Sequence, residues 1–379
     1  MKTRFNYPTR IIFGQGVVND LVSELTGLGC KRPLIITDNG LMRTGIVENV
    51  FEIIKKGDLS PAIFSEVEPN PTDSQVDAGA YAFKNHNADS IIAIGGGSPI
   101  DAGKGVQIRI NHHEPMEVYD DLLGGDVKIT EYIPPLIAIP TTSGTGSEVS
   151  RSAVITIAAV NRKVVLFSSR LMPSVALCDP ELTYGLPPRI TAETGMDALS
   201  HNLEAFMSKG YHPMADAIAL KGIEFVAKNL FKAVENGKDV QARQDMMMAS
   251  TMGAVAFQKG LGVVHSLAHP LSSVCGVSHG LANSIMMPHA VRFNADAVGE
   301  RINEVVKAFG LKEMSAEAVA AAIEELARKM GLPLSLSKAG VTEKHIELLV
   351  QKAMTDGCHG CNPRPCTAAD MEQLFRAAL

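Results

Sequence analysis

Short runs of apolar, mostly β-branched residues recur through the first half of the chain, each bounded by turn residues. Such runs predict buried β-strands, and helical stretches over residues 45–56 and 74–85 separate the early ones. The predicted strands cover residues 10–13, 33–37, 62–64, 90–94, 136–139, 154–157, 164–167 and 175–177. Continuous apolar strands that alternate with helices predict a mostly parallel sheet covered on both faces.

The pattern changes after Pro187-Pro188, where strand-like runs nearly vanish. Residues 215–229, 243–257 and 316–330 carry apolar side chains at i, i+3 and i+4 spacing, which predicts helices. We therefore expect an α/β domain over residues 1–185 and an all-helical domain over residues 186–379. Ligands of open α/β sheets bind beyond the carboxyl ends of the strands, so we expect the ligand site in the cleft between the domains.

The composition of the chain argues against nucleic-acid binding and against membrane insertion. The 379 residues are 46% hydrophobic, which is enough for two cores, and the net charge of −6 comes without a basic stripe. Nucleic acid is therefore not an expected partner. No apolar run approaches the roughly 20 residues of a membrane span, and the N-terminus has no apolar signal segment, so we expect a soluble, cytoplasmic protein. Cys30, Cys178 and Cys275 stand alone among apolar or small residues and are expected to be reduced, buried thiols.

A glycine-rich turn follows the predicted strand 90–94. The segment Gly95-Gly96-Gly97-Ser98-Pro99 predicts a turn and then a helix with Ser98 as its N-cap and Pro99 at its first position. Glycines let the backbone approach an anion closely, and a helix N-terminus offers free N–H groups to a pyrophosphate. The segment is not the Gly-x-Gly-x-x-Gly fingerprint, so a tight turn without a ligand is the alternative.

Two further segments follow predicted strands. Residues 140–148 are crowded with hydroxyls and glycines, which suits hydrogen bonds to phosphate, ribose or carboxamide, although a solvated loop has the same composition. Asp38 comes directly after strand 33–37, where an acid can accept both ribose hydroxyls and repel a 2′-phosphate. The alternative for Asp38 is that it caps the next helix.

Histidines and one aspartate are concentrated in three segments of the second half. Asp197 and His201 are four residues apart, as are His265 and His269, so each pair shares a face if the segment is helical. His279 follows shortly after. Burying so many imidazoles without a shared partner is costly, and one carboxylate with three imidazoles suits Fe²⁺ or Zn²⁺. The spacing predicts a metal site but leaves its membership open.

Taken in order, these motifs resemble the iron-containing alcohol dehydrogenase family over essentially the whole chain. The matching positions are Phe13-Gly14-x-Gly16, Asp38, Pro69-Asn70-Pro71, Gly95-Gly96-Gly97-Ser98-Pro99-x-Asp101, Pro140-Thr141-Thr142-x-Gly144-Thr145-x-Ser147-Glu148, Lys163, Gly195-Met196-Asp197-Ala198, Gly262-x-x-His265-x-x-x-His269, His279-Gly280 and Asn362-Pro363-Arg364. The resemblance implies a Rossmann-like, NAD-binding N-terminal domain and a helical, metal-binding C-terminal domain. It implies hydride transfer between NAD and a small primary alcohol or diol, or its aldehyde, by a homodimer or higher homo-oligomer.

The resemblance also implies individual roles. The metal, Fe²⁺ or alternatively Zn²⁺, would be held by Asp197, His201, His265 and His279, and His269 would lie near the substrate without binding the metal. We expect His269 to be a catalytic residue that relays the alcohol proton, and the alternative is that it only orients a ligand. The implied NAD contacts are Asp38, Asn70, Gly96, Gly97, Ser98, Asp101, Thr141, Thr142, Thr145, Ser147 and Lys163. Pro270 directly follows His269, so we expect the helix that carries His269 to end or kink there.

The sequence departs from the commoner family pattern in three places. The stretch 257–262 is one residue shorter than in many relatives, Ser278 stands where proline often precedes the fourth ligand, and His359 is an additional histidine. These positions are candidates for the border of the substrate pocket, so the family does not name the substrate. Cys358, His359, Cys361 and Cys366 form a candidate second metal site, although no second Cys-x-x-Cys completes it.

Three other functions share parts of this pattern. One is a glycerol-dehydrogenase-like polyol enzyme that uses Zn²⁺, and another is a dehydroquinate-synthase-like lyase on the same scaffold. The phosphate-rich substrate of the lyase needs several Lys and Arg, and the ligand segments are poor in both. The third is a non-catalytic assembly protein, against which the full set of candidate ligands argues.

Overall fold

The computed structural model describes residues 5–6, 9–130, 132–160 and 162–379. These residues divide into two compact units. The α/β unit takes its residues from 7–142 and 146–185, and the helical unit takes its residues from 1–6, 143–145 and 186–379.

The α/β unit is built on a six-stranded, fully parallel sheet with the strand order β1-β8-β5-β4-β2-β3. The strands are β1 (Arg10–Phe13), β2 (Pro33–Asp38), β3 (Ala62–Val67), β4 (Ser90–Gly95), β5 (Leu136–Pro140), β6 (Ser152–Ile157), β7 (Arg162–Phe167) and β8 (Val175–Cys178). All strands predicted from the sequence are present, and the prediction of a mostly parallel sheet is confirmed.

Strands β6 and β7 do not continue that sheet, as the sequence had suggested, but form a separate antiparallel hairpin. The reason is the short connection between them, because a parallel pair needs a crossover of a dozen or more residues. Along β6, buried and partly buried residues alternate, which is typical of a strand with one covered face.

Helices cover both faces of the parallel sheet. They are α1 (Leu21–Gly27), α2 (Asn39–Met42), α3 (Ile46–Lys56), α4 (Asp73–His86) and α5 (Gly97–Asn111). Successive strand residues point to opposite faces, so Ile91 and Ala93 of β4 join one apolar core while Ile92 and Ile94 join the other. This two-sided burial explains why the strands are continuously apolar.

The helical unit has one large apolar core. Its helices are α6 (Pro188–Met207), α7 (Pro213–Glu235), α8 (Val240–Ala256), α9 (Val263–Cys275), α10 (His279–Val298), α11 (Ile302–Phe309), α12 (Ala316–Lys329), α13 (Ile346–Thr355) and α14 (Ala368–Ala378). The prediction of a helical second half is confirmed. Across the part of the chain that the structure describes, no helix has both the length and the apolar character needed to cross a membrane.

Helix α9 does not end at His269, so the expectation of a helix end there was wrong. It continues through Pro270 to Cys275. A proline inside a helix removes one backbone hydrogen bond. The buried apolar residues on both sides of it, Leu267 and Leu271, pack into the core of the helical unit and hold the helix together. His265 and His269 therefore lie one turn apart on a continuous helix.

Candidate metal centre

Helix α6 carries the carboxylate of the site and one of its histidines. Asp197 and His201 lie one turn apart on it, and Pro188 occupies the first turn, where its missing N–H is harmless. Both side chains are buried in the helical unit. The i, i+4 spacing seen in the sequence thus places a carboxylate and an imidazole on one helix face.

Three imidazoles converge on one oxygen atom of Asp197. The Nε2 atoms of His201, His265 and His279 lie 3.7, 3.9 and 3.4 Å from Asp197 Oδ1. Ligand atoms of Asp197, His265 and His279 all lie within 4.8 Å of one another. His201 stacks on His265, with ring centroids 4.8 Å apart. The structure therefore brings together all four residues for which the family resemblance implies metal binding.

The pKa values of three groups of this cluster, His265, His279 and Asp197, are shifted by burial and by their neighbours. Burial and the neighbouring histidines lower the pKa of His265 well below its ordinary value, and burial does the same to His279. Burial alone would raise the pKa of Asp197, but the histidines beside it outweigh burial and hold that pKa below its usual range. Neutral imidazoles keep a lone pair available for a ligand.

The donor set fits a divalent cation. His265 Nε2 is buried and has no hydrogen-bond partner, which is costly unless something else accepts its lone pair. Burial also raises the pKa of the adjacent Glu204 to about 8, so a nearby positive charge is needed to keep it ionised at neutral pH. Asp197 and the imidazoles are ligand types that Fe²⁺ and Zn²⁺ accept.

Further residues that the sequence pattern did not single out surround these four side chains. Asn283 Nδ2 donates to Asp197 Oδ1 at 2.8 Å and lies 3.2 Å from His279 Nε2, and His201 Nδ1 lies 3.2 Å from the carbonyl oxygen of Gly144. Glu204 contacts His265 Nδ1. Helical periodicity is the signal that could have found two of them, because Glu204 follows His201 by three residues and Asn283 follows His279 by four.

His269 is held next to this group by a different carboxylate. Its Nδ1 lies 2.7 Å from Asp356 Oδ2, and its ring stacks on that of His279 with centroids 5.3 Å apart. Hydrogen bonds and the neighbouring imidazole overcome the effect of burial and lower the pKa of Asp356. An ionised carboxylate only accepts hydrogen bonds, so Nδ1 of His269 is the donor in this contact.

Of the candidate second metal site at Cys358, His359, Cys361 and Cys366, only Cys358 belongs to a cluster of possible ligands among the described residues, and its neighbours there are His269 and Asp356. Ligand atoms of His269, Asp356 and Cys358 lie within 4.8 Å of one another. However, Asp356 Oδ1 accepts from Ser266 Oγ at 2.7 Å and from the Cys358 N–H at 2.9 Å, while the His359 N–H donates to Ser266 Oγ at 2.8 Å. Burial raises the pKa of the Cys358 thiol well above its usual value, which disfavours the thiolate that a metal requires.

The glycine-rich turn of the α/β unit has the geometry of an anion-binding helix start, with one correction. Helix α5 begins at Gly97 with Gly96 as N-cap, so Ser98 lies inside the first turn and does not cap it. The backbone turns at Gly95, where φ is +147° and a Cβ atom would lie 2.6 Å from Pro99 Cγ, so only glycine fits. Gly96 has no side chain, so the N-cap residue itself does not occupy the first N–H groups of α5.

Several predicted NAD contacts lie near this helix start. The Asn70 N–H donates to Ser98 Oγ at 3.4 Å, and the Thr141 N–H donates to the Gly95 carbonyl at 2.9 Å. A Cβ atom on Gly96 would lie 3.4 Å from the Thr142 side chain. Thr145, in contrast, belongs to the helical unit.

Asp101 and Ser147 bind each other. Asp101 accepts from Ser147 Oγ at 2.5 Å and from the Val154 N–H at 3.0 Å. The buried Lys104 donates to the carbonyl oxygens of residues 147, 150 and 152 at 2.7, 2.7 and 2.8 Å. Burial lowers the pKa of Lys104 to about 8 and also lowers the pKa of Lys163. These contacts fix the loop that follows β5.

Asp38 lies at the end of β2 and caps α2, because its Oδ1 accepts from the Leu41 N–H at 2.8 Å. This is the alternative that the sequence left open. The cap uses one carboxylate oxygen and is compatible with a ribose contact through the other.

Two family models match the chain. The model for iron-containing alcohol dehydrogenase matches residues 8–180, and the model for the C-terminal part of the Fe-containing alcohol dehydrogenase family matches residues 191–379. A 4-hydroxybutyrate dehydrogenase from Cupriavidus necator is 40% identical, over 98% of this chain and 99% of that protein. An NAD-dependent methanol dehydrogenase from Bacillus methanolicus is 37% identical over 100% of both chains.

A solved structure shows the same similarity in three dimensions. The crystal structure of a 1,3-propanediol oxidoreductase superimposes with a TM-score of 0.95 and 36% sequence identity, covering 100% of both chains. The match therefore covers both units and the segments that carry the four converging side chains. This chain belongs to the iron-containing alcohol dehydrogenase family.

Proposed function

We propose that this protein is a metal-dependent, NAD-linked oxidoreductase that interconverts a small primary alcohol or diol and its aldehyde. The observation that carries the proposal is the convergence of three Nε2 atoms on Asp197, with His265 Nε2 buried and unpartnered. The glycine turn before α5 supplies the second requirement, a place for the dinucleotide.

Four side chains would hold the metal, namely Asp197, His201, His265 and His279. Fe²⁺ is the ion we propose, on the family relationship, and Zn²⁺ is the alternative because it binds such a set more tightly. When bound, the ion supplies Lewis acidity, which lowers the pKa of an alcohol and polarises a carbonyl. The protein's own part is to lower the pKa values of His265 and His279 by burial and to hold their Nε2 atoms beside Asp197.

NAD would be held by the α/β unit, with its pyrophosphate at Gly96, Gly97 and Ser98. When bound, the nicotinamide exchanges hydride with the substrate carbon. Asp38 would accept the adenosine ribose hydroxyls. The remaining proposed contacts are Asn70, Asp101, Thr141, Thr142, Thr145, Ser147 and Lys163.

We propose His269 as the catalytic residue that moves the alcohol proton. Its Nδ1 is occupied by Asp356, so Nε2 is the atom that would accept the proton in oxidation and return it in reduction. The Asp356 carboxylate would stabilise the imidazolium formed in between. This role is separate from metal binding, which His269 does not share in our proposal.

The substrate class follows the family relationship. Relatives named for 4-hydroxybutyrate, methanol and 1,3-propanediol support a short primary alcohol and favour neither a polyol nor a lyase substrate.

We also infer a homo-oligomer, which light scattering after gel filtration would test. A cytoplasmic location is supported by the six cysteines, which are all free thiols.

The test is a substrate panel with a metal-site control. The protein is loaded anaerobically with Fe²⁺ or Zn²⁺, and NADH absorbance is followed with methanol, 1,3-propanediol, 4-hydroxybutyrate and glycerol. NADH should accumulate with stoichiometric aldehyde, whereas a lyase would release none. The His265→Ala variant should lose metal and turnover but retain NAD affinity. Full activity of this variant with unchanged metal content would overturn the assignment.

A further inference from the structure

Glu204 shares a helix face with two of the proposed metal ligands. It follows Asp197 by seven residues and His201 by three on α6, so all three side chains lie along one face. Glu204 is buried, with only 2% of its surface exposed. A buried carboxyl group needs specific partners because it has lost its water.

Both oxygens of Glu204 contact the start of α9. Oε1 accepts from the Val264 N–H at 2.7 Å, and Oε2 contacts His265 Nδ1. Gly262 leaves room for this approach, because a Cβ atom there would lie 2.9 Å from Glu204 Oε1. The first-turn N–H of Val264 would otherwise have no intrahelical acceptor. One side chain therefore satisfies the helix start and holds its histidine.

The contact determines which nitrogen of His265 faces the proposed ion. With Nδ1 directed at Glu204, only Nε2 points to Asp197, and that atom is the buried one without a partner. We propose that Glu204 is a positioning residue that accepts the Nδ1 proton of His265 and so presents Nε2 to the metal. This inference rests on the proposed function, because it takes His265 to be a ligand.

Glu204 is not the Nδ1 partner of the neighbouring imidazoles His201 and His269. His201 Nδ1 lies beside the neutral carbonyl of Gly144, and the carboxylate beside His269 belongs to Asp356. Among the four proposed ligands, His265 is the one whose Nδ1 contacts a carboxyl group in the structure as described. A carboxylate there both fixes the ring and makes Nε2 a stronger donor.

Glutamine cannot make both contacts of Glu204 and leave the proton on Nδ1 of His265. If its oxygen accepts from Val264, its NH₂ group faces His265 Nδ1 and forces the proton onto Nε2. If the amide is turned, the NH₂ group meets the Val264 N–H. The first orientation keeps both contacts but places the proton on the wrong nitrogen of His265, and the second loses the hydrogen bond from the Val264 N–H. The side-chain volume is unchanged in both. Glu204→Gln thus disturbs the positioning contact without leaving a cavity.

The experiment measures metal affinity of the full-length protein. Metal-free wild type and Glu204→Gln are titrated with Co²⁺ and Zn²⁺ in competition with a chromophoric chelator. We expect the dissociation constant to rise about 10- to 100-fold in the variant. Asp356→Asn is the matched control. It makes the same carboxylate-to-amide change at the partner of His269, which lies on the same helix as His265 but is not a proposed ligand. Its metal dissociation constant should stay within about threefold of the wild-type value. Equal affinity of Glu204→Gln and wild type would overturn the proposal.

A second measurement does not depend on the variant folding. In a crystal structure of the Zn²⁺-loaded wild type, His265 should bind through Nε2 with Glu204 still on Nδ1. Ligation through Nδ1, or Glu204 turned away from His265, would overturn the positioning role. A wild type that binds no divalent ion would instead overturn the metal assignment itself, so the two failures are distinguishable.

Discussion

Two clusters of buried polar side chains, one in each unit, differ in how their hydrogen bonds are satisfied. In the α/β unit, Asp101, Lys104 and Ser147 satisfy one another and the surrounding backbone. In the helical unit, His265 Nε2 and Asn283 Oδ1 are buried beside Asp197 without a hydrogen-bond partner. The hydrogen bonds of the first cluster are satisfied within the protein, while the second cluster contains atoms that only a bound ligand would satisfy.

This difference separates stability from ligand binding. Buried polar groups that satisfy one another contribute to the free energy of unfolding with no ligand present. Groups that converge without satisfying one another cost free energy until a ligand binds. We therefore expect substitution of Lys104 to act on folding, and substitutions around Asp197 to act on metal binding and turnover.

The largest effect is expected from His279→Ala. This change removes a proposed metal ligand whose side chain is 30% exposed, so little packing is lost. Turnover should disappear, and the thermal stability of the metal-free protein should change little. For wild type, metal at about a thousandfold excess over its dissociation constant should add roughly 4 kcal/mol of stability. Calorimetry without and with Zn²⁺ measures the stability of the metal-free protein and the stabilisation by metal. If Zn²⁺ stabilised the variant as strongly as wild type, the proposed difference between the two clusters would be wrong.

His269→Ala should affect turnover alone. If His269 moves the alcohol proton, turnover should fall by about 10²- to 10⁴-fold while metal content stays intact. If it merely orients a ligand, metal affinity should fall by about 10- to 100-fold instead, and excess metal should restore activity. Titrating Fe²⁺ or Zn²⁺ into the variant while following NADH distinguishes the two. Full rescue by metal would eliminate the proton-transfer role.

Lys104→Met should destabilise the α/β unit without any ligand. It leaves the carbonyls of residues 147, 150 and 152 and the Asp101 carboxylate without their buried cation. Removing one partner of a buried charged network costs about 3–5 kcal/mol. The midpoint of urea unfolding, followed on metal-free protein, measures the loss. Lys221→Met, at an exposed site of the helical unit, is the control and should stay within about 0.5 kcal/mol.

The periodicity of apolar residues predicted the strands and helices more completely than it predicted the contacts within the sites. Apolar runs located every strand, but the separate pairing of β6 and β7 depends on the short connection between them, which a strand pattern does not encode. The i, i+4 pairs found Asp197, His201 and His265 because helices place them on one face. Asp356 was missed as a partner of His269, since its contact joins residues 87 apart in the chain. Long-range contacts of this kind follow from packing rather than from local pattern.

The smallest expected effect concerns cofactor choice at Asp38, on the α/β side of the comparison. If Asp38 accepts the adenosine ribose hydroxyls, its charge should repel the 2′-phosphate of NADP. A like-charge contact in a partly buried site is worth on the order of 1–3 kcal/mol, or about 5- to 150-fold in preference. Asp38→Gly should therefore weaken NAD binding and admit NADP. The ratio of kcat/KM values for the two cofactors measures the change.

The cap on α2 complicates that variant, because Asp38→Gly also removes the acceptor for the Leu41 N–H. Asp38→Asn separates the two roles. Asparagine is as good an N-cap as aspartate, so α2 should keep its start, while the negative charge is gone. We expect Asp38→Asn to admit NADP with unchanged thermal stability and Asp38→Gly to admit NADP with a lower unfolding temperature. If wild type already prefers NADP, or if Asp38→Asn leaves the preference unchanged, Asp38 serves only as the helix cap.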